Sequence, residues 1–158
     1  MAMNNEDMVK EFEAFIPFVV ALNDYDESHW NLPIAEGKWS LKDIICHIML
    51  WDKYFYEEAI LKIKLKEPLT VRHLNFDEFN ANAIEYSKSQ TKQSIIDRFA
   101  EYRSKIINDI SGLSDEEYIQ EYFDGDKKIF TIQEYLRGFI PHDKQHKEQI
   151  EKFLKSIA

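Results

Sequence analysis

Thr131-Ile-Gln-Glu-Tyr135-Leu-Arg-Gly-Phe139-Ile-Pro141-His142-Asp143-Lys-Gln-His146-Lys-Glu-Gln149-Ile150-Glu-Lys-Phe153-Leu-Lys-Ser-Ile157 is the stretch on which the fold turns. Ile132, Tyr135, Phe139, Ile150, Phe153 and Ile157 recur at helical spacing, so it predicts a long amphipathic helix. Thr131 followed by Glu134 is a capping box that opens it. Pro141 interrupts the pattern and removes one backbone hydrogen bond. At ~100° per residue, His146 lies ~20° from Phe139 and His142 ~60° from it. Both imidazoles therefore fall inside the apolar stripe, stacked one turn apart.

Three further stripes precede this helix. Met8, Phe12, Phe15, Ile16, Val19 and Leu22 form the first, with Pro17 inside it predicting a kink or local irregularity. Ser40 to Asp43 is a capping box that opens the second, which runs through Leu41, Ile44, Ile48, Trp51, Phe55 and Ala59 and fades near Pro68. The third holds Ile95, Phe99, Tyr102, Ile106, Ile110 and Leu113. Residues 23–39 read as a loop, and Phe76, Phe79, Ala83 and Tyr86 as a short amphipathic piece that is either separate or a bent extension of the third helix. Ser114 to Glu117 opens one short turn, and Asp124-Gly125-Asp126 is a turn signal. Four long amphipathic helices predict an all-α four-helix bundle, with one domain over residues 1–158.

Composition narrows the function. The 158 residues include only four Gly and four Pro, which disfavours a turn-rich β fold, while 44% hydrophobic residues suffice for a core. The net charge of −9 and the lack of a basic stripe argue against nucleic acid and against an anionic membrane surface. The longest apolar stretch, Phe15 to Leu22, is too short to span a bilayer. The acidic N-terminal residues lack the pattern of a secretory signal, and Cys46 is the sole cysteine, so a cytoplasmic location is expected.

The histidines carry the chemistry. His47 lies ~60° from Ile44, on the flank of the second stripe, so a third imidazole points inward from another helix. Three nitrogen ligands with an open position is the arrangement of a catalytic zinc-type site. With five histidines in the chain, a chance H-x-x-x-H arises in about one such chain in eight, so hydrogen-bonded core histidines are the competing reading. Asp43 stands one turn before His47 and is a candidate to hold its other ring nitrogen, although its capping role explains it equally well. Asp52 and Asp143 are candidate bases or orienting groups, but read more simply as solvated helix residues. Cys46 reads as a small buried apolar residue, His29 and His73 as surface residues in loops, and the three tryptophans as core or loop anchors, with Trp51 a candidate pocket wall.

Gly37-Lys38-Trp39-Ser40-Leu41-Lys42-Asp43-Ile44-Ile45-Cys46-His47-Ile48-Met49-Leu50-Trp51-Asp52, together with His142-Asp-Lys-Gln-His146-Lys-Glu-Gln149-Ile150, resembles the DinB-like (damage-inducible) family over nearly the whole chain. The shared pattern is a Trp-Ser/Thr start to the second helix, a histidine about seven residues on, and a terminal H-x-x-x-H followed by Gln. Pro141 immediately before His142 departs from it. The resemblance implies up-down-down-up connectivity and a divalent metal, commonly nickel or zinc, held by His47, His142 and His146. It also implies a homodimer and either metal-dependent hydrolysis or transfer of a low-molecular-weight thiol such as bacillithiol, a stress and detoxification chemistry. Catalytic residues beyond the ligands are not implied. A non-catalytic metal- or small-molecule-binding bundle and a purely structural dimer are the alternatives.

Overall fold

The computed structural model describes residues 3–158; Met1 and Ala2, the start of the acidic N-terminal stretch, lie outside the described residues. The apolar stripes become helices. α1 spans Asn5–Ala21, with the Asn4 side chain accepting from the Asp7 N–H. A 3₁₀ turn, Leu22–Asp24, leads to the short α2, Glu27–Trp30. The expected loop over 23–39 therefore contains a helical turn, and His29 lies on it. Asp26 nucleates this turn by capping the His29 N–H, and Trp30 anchors it, wholly buried with its indole N–H donating to the Leu22 carbonyl at 2.9 Å.

The Ser40–Asp43 capping box opens α3, Leu41–Phe55. This helix continues through a π turn, Tyr56–Ile60, into α4, Leu61–Leu65, and ends where Lys66 takes a left-handed conformation (φ 58°). α5, Phe76–Ser87, is separate from α6, Lys92–Ile110, because Thr91 starts a new helix by capping the Ser94 N–H. α7, Asp115–Ile119, is followed by a two-residue hairpin, β1 Tyr122–Phe123 against β2 Ile129–Phe130, and by α8, Ile132–Ser156. The hairpin is held by the Asp124 carboxylate, which accepts from the Asp126 and Lys128 N–H groups. Gly125 docks it on the 69–72 segment: its N–H donates to the Val71 carbonyl at 2.7 Å, and a Cβ there would lie 2.9 Å from the Thr70 carbonyl oxygen.

The long helices α1, α3–α4, α6 and α8 form a four-helix bundle with up-down-down-up connectivity, and α5 lies against α3. α1 packs on α6 and α8, and α3 on α6; α3 meets α8 over a much shorter seam. No helix among the described residues is long and apolar enough to cross a membrane.

Neither proline breaks its helix. α1 runs through Pro17 and α8 through Pro141, with both rings exposed. The carbonyl that each proline leaves without an N–H partner belongs to an exposed residue, Glu13 or Arg137, where water can satisfy it.

Two large apolar cores fill most of the interior, with a smaller cluster of Ala59, Leu69 and Val71 beside the hairpin. One joins Phe15, Val19, Leu41, Ile44, Ile48, Ile95, Phe99 and Ile150. The other joins Met8, Phe12, Ile60, Ile106, Ile110, Ile132, Tyr135 and Leu136. Between them α3, α6 and α8 contribute a polar waist: His47, Asp52, Arg103, His142, Asp143 and His146. This waist positions the site.

Candidate metal centre

His47 comes from α3, and His142 and His146 from successive turns of α8. Each offers one ring nitrogen such that the three atoms all lie within 4.8 Å of one another. The ring centroids are 5.3 Å (His47–His142), 5.4 Å (His47–His146) and 4.6 Å (His142–His146) apart. His47 is 3% exposed, and the two α8 histidines are half-buried. Trp39, on the approach to α3, stands edge-on to His47 at 5.1 Å, and Phe139 stands edge-on to His142 at 5.6 Å. Aromatic faces thus close two sides of the cluster.

The donor set suits a divalent ion on three grounds. First, Nε2 of His47 and Nε2 of His142 are 3.4 Å apart. Two nitrogens each ~2.0–2.1 Å from one tetrahedral metal would be ~3.3–3.4 Å apart. Second, the protein does not satisfy these rings by itself: Nδ1 of His47 and Nδ1 of His142 are buried without a hydrogen-bond partner. Hydrogen bonding between the rings leaves at least one such nitrogen unpaired. Third, the rings are neutral at physiological pH, with lone pairs free to bind. Burial, reinforced by His146 and His142, holds His47 down to about 3. Burial and the neighbouring His142 hold His146 down to about 4, and burial lowers His142 as well.

Gln149 supports His146, with its Oε1 3.2 Å from His146 Nδ1. This fixes the ring as outer partners of metal-binding imidazoles do. Asp43 does not serve His47 in this way. Its carboxylate closes the capping box on the Ser40 N–H and accepts from the buried Ser87 hydroxyl, tying α3 to α5.

Beside the cluster opens a cleft of about 550 Å³, walled by Trp39, Ile34, Ile44 and Phe153, with His146 and Gln149 on one side. Lys38 and Lys152 also line it, and no carboxylate does. In a chain of net charge −9 this is a locally cationic spot. Trp51 faces elsewhere, stacked on Phe79 at 3.8 Å, with its N–H donating to Asn80 Oδ1. Cys46 is buried against the Ala83 carbonyl, and burial pushes its thiol up to about 12. His73 is exposed and His29 partly so, each beside an aspartate.

Asp52 and Asp143 are not solvated helix residues. They are 1% and 5% exposed, and both bind Arg103, which is fully buried. Arg103 Nε and Nη2 form a fork on the two Asp52 oxygens at 2.7 and 3.1 Å. Its Nη1 donates to Asp143 Oδ2 at 2.8 Å and to the Phe12 carbonyl at 3.0 Å. The guanidinium lies 3.7 Å from the Phe12 ring centroid. Burial pushes Asp52 up to about 6 against the pull of Arg103, while the two carboxylates raise Arg103 over the cost of its own burial. Sequence reasoning passed over Arg103. The available signal was its place four residues after Phe99 and three before Ile106, inside an apolar stripe.

A solved structure of YfiT from Bacillus subtilis, described as a probable metal-dependent hydrolase with an unusual four-helix bundle topology, superposes with a TM-score of 0.69 at 15% identity, covering 99% of this chain and 90% of that one. At that identity the likeness speaks for the fold. No curated protein matches the chain. The DinB superfamily model matches residues 18–150, which take in all three histidines and the whole polar waist; the chain belongs to the DinB superfamily.

Proposed function

We propose that His47, His142 and His146 hold a divalent metal, nickel or zinc, and that the protein uses it to transfer a low-molecular-weight thiol, bacillithiol being one candidate, to a small electrophile. The observation that carries the metal assignment is the cluster of three neutral imidazoles, one buried and two half-buried, at chelating distance. Three uncharged ligands would leave the ion its full positive charge, and such an ion lowers the pKa of a thiol or a water that it holds.

The surroundings favour the thiol over water as nucleophile. Hydrolysis of an amide or unactivated ester needs a positioned acid or base for the leaving group. Here the nearby carboxylates are largely engaged: Asp52 through both oxygens and Asp143 through Oδ2 by Arg103, and Asp43 by Ser40 and Ser87, which leaves only the buried Asp143 Oδ1 without a partner. A thiol that ionises at neutral pH can release its proton to solvent. Lys38 and Lys152 suit an acidic group on the thiol compound, and Trp39, Ile34 and Phe153 suit an apolar portion of the electrophile. Trp39 and Phe139 pack edge-on against His47 and His142 and narrow the approach to the ligands. Hydrolysis is the second reading, favoured by the likeness to YfiT.

The test starts with metal content of untagged protein. Less than about a tenth of an equivalent, with melting unchanged by chelation, favours a structural role instead. Zinc- or nickel-loaded protein is then given bacillithiol and a haloalkyl fluorophore, and in parallel an ester panel. Thioether formation supports the transferase, ester cleavage alone the hydrolase, and stoichiometric metal with neither product a non-catalytic binding bundle. We extend the proposal to a cytoplasmic homodimer. Phe123 and Ile129, paired across the hairpin on its outward face, are 69% and 51% exposed and offer an apolar contact. Sedimentation of a Phe123→Lys variant tests this: a monomer is expected, and an unchanged dimer places the interface elsewhere.

A further inference from the structure

Arg103 touches every long helix of the bundle. It belongs to α6, and it binds Asp52 of α3, Asp143 of α8, and both the carbonyl and the ring of Phe12 in α1. Asp143 is the residue after His142, and Asp52 follows His47 by a little over one turn. α3 and α8, which carry the three histidines, share only a short direct seam, whereas α3 and α6 pack extensively. Their mutual placement at the waist therefore runs through the guanidinium.

We propose that Arg103 is the positioning residue of the three-histidine site: by gripping one carboxylate on each histidine-bearing helix, it sets the separation and roll of α3 and α8, and with them the spacing of His47 from His142 and His146. A planar guanidinium suits this task. Its fork fixes Asp52 in orientation as well as distance, while Nη1 is left for Asp143. Stability alone accounts poorly for it. Apolar residues of similar volume often replace a buried ion triad with no loss, because desolvating three charges offsets most of their attraction. The cores on either side are apolar, so such a filling is available here. What an apolar filling cannot supply is a rigid, directional link between two particular helix turns.

The inference rests on the histidines binding metal, and the experiment separates the two. The triple variant Asp52→Leu/Arg103→Met/Asp143→Leu and the conservative Arg103→Lys are purified metal-free. Each is titrated with cobalt(II), which reports affinity and, through its visible bands, coordination geometry. The triple variant is expected to keep a cooperative thermal transition but to bind cobalt about 10- to 100-fold more weakly, with altered bands, as loss of outer-shell support does. Arg103→Lys, which retains the charge but not the fork, is expected to fall between it and the wild type.

A folded variant with wild-type affinity and spectrum overturns the positioning role. If the triple variant does not fold, Arg103→Lys carries the test on the same readouts; if that too fails to fold, the network is a stability element and the inference is wrong. Absence of cobalt uptake by the wild type overturns the metal assignment and this inference together. That outcome is distinct from wild-type uptake with unchanged variants, which overturns positioning alone.

Discussion

The bundle's waist holds two polar clusters side by side on α8, and they are built on opposite terms. The histidine cluster carries no charge and keeps two buried nitrogens without partners. The Arg103 cluster carries three formal charges and satisfies nearly all of its polar atoms within the protein, Asp143 Oδ1 being the exception. Both occupy interior that apolar side chains could have filled. The first has lone pairs to give; the second is almost complete and serves as a frame. The contrast separates a place where something binds from the structure that holds the place.

The sharpest way to break this contrast is to unbalance the frame. Arg103→Ala leaves two buried carboxylates with no cation, and removing one partner of a buried pair costs roughly 3–5 kcal/mol. Urea unfolding should show a loss of that size, much larger than any loss in the apolar triple variant; equal losses would mean that the charges matter for stability after all. Next in size is the binding side. His146→Ala should lose metal and activity together while remaining folded, and full occupancy by elemental analysis would remove His146 from the ligand set.

The pH dependence of the metal-free protein tests the uncharged state of the same cluster. The folded-state values of the three imidazoles lie below the ordinary 6.5 of a free histidine, with His47 at about 3 and His146 at about 4. Below pH 6.5 the unfolded chain binds protons that the folded chain refuses, so stability falls as pH drops through that window. Asp52, held up at about 6 by burial, works in the opposite sense with a single proton. The urea midpoint in chelator should therefore decline from pH 7 to pH 4.5. Replacing His47 by Leu should flatten the decline by up to about 1.4 kcal/mol per pH unit, and an unaltered slope would contradict a neutral buried His47. The smallest effect belongs to the start of α3. Ser40→Ala removes the cap on the Asp43 N–H and should cost about 1 kcal/mol by urea unfolding, with cobalt affinity little changed. A large loss of affinity would move the capping box into the frame.

The four long helices were legible because each buries one continuous stripe, and periodicity reports burial. His142 and His146 were legible as a pair because they fall within one helix; His47 was legible only as an inward-pointing residue on another. Arg103 was not read because its partners lie 51 and 40 residues away, a distance over which local pattern says nothing. The same blindness turned Asp52 and Asp143 into surface residues, although each interrupts an apolar stripe at helical spacing, as Arg103 does. A charge inside a stripe is the readable trace of a buried partner elsewhere. The prolines do not end their helices: the carbonyl that each leaves without an N–H partner belongs to an exposed residue, Glu13 or Arg137.

Cys46 sits sealed against the Ala83 carbonyl, with its thiol pushed up to about 12. The native protein should thus be silent to Ellman's reagent, and any colour that develops in a thiol assay belongs to the substrate. On unfolding, the same sulfur becomes accessible and reacts, one equivalent per chain. A single buried atom thereby makes the protein its own blank while it works and its own indicator when it fails.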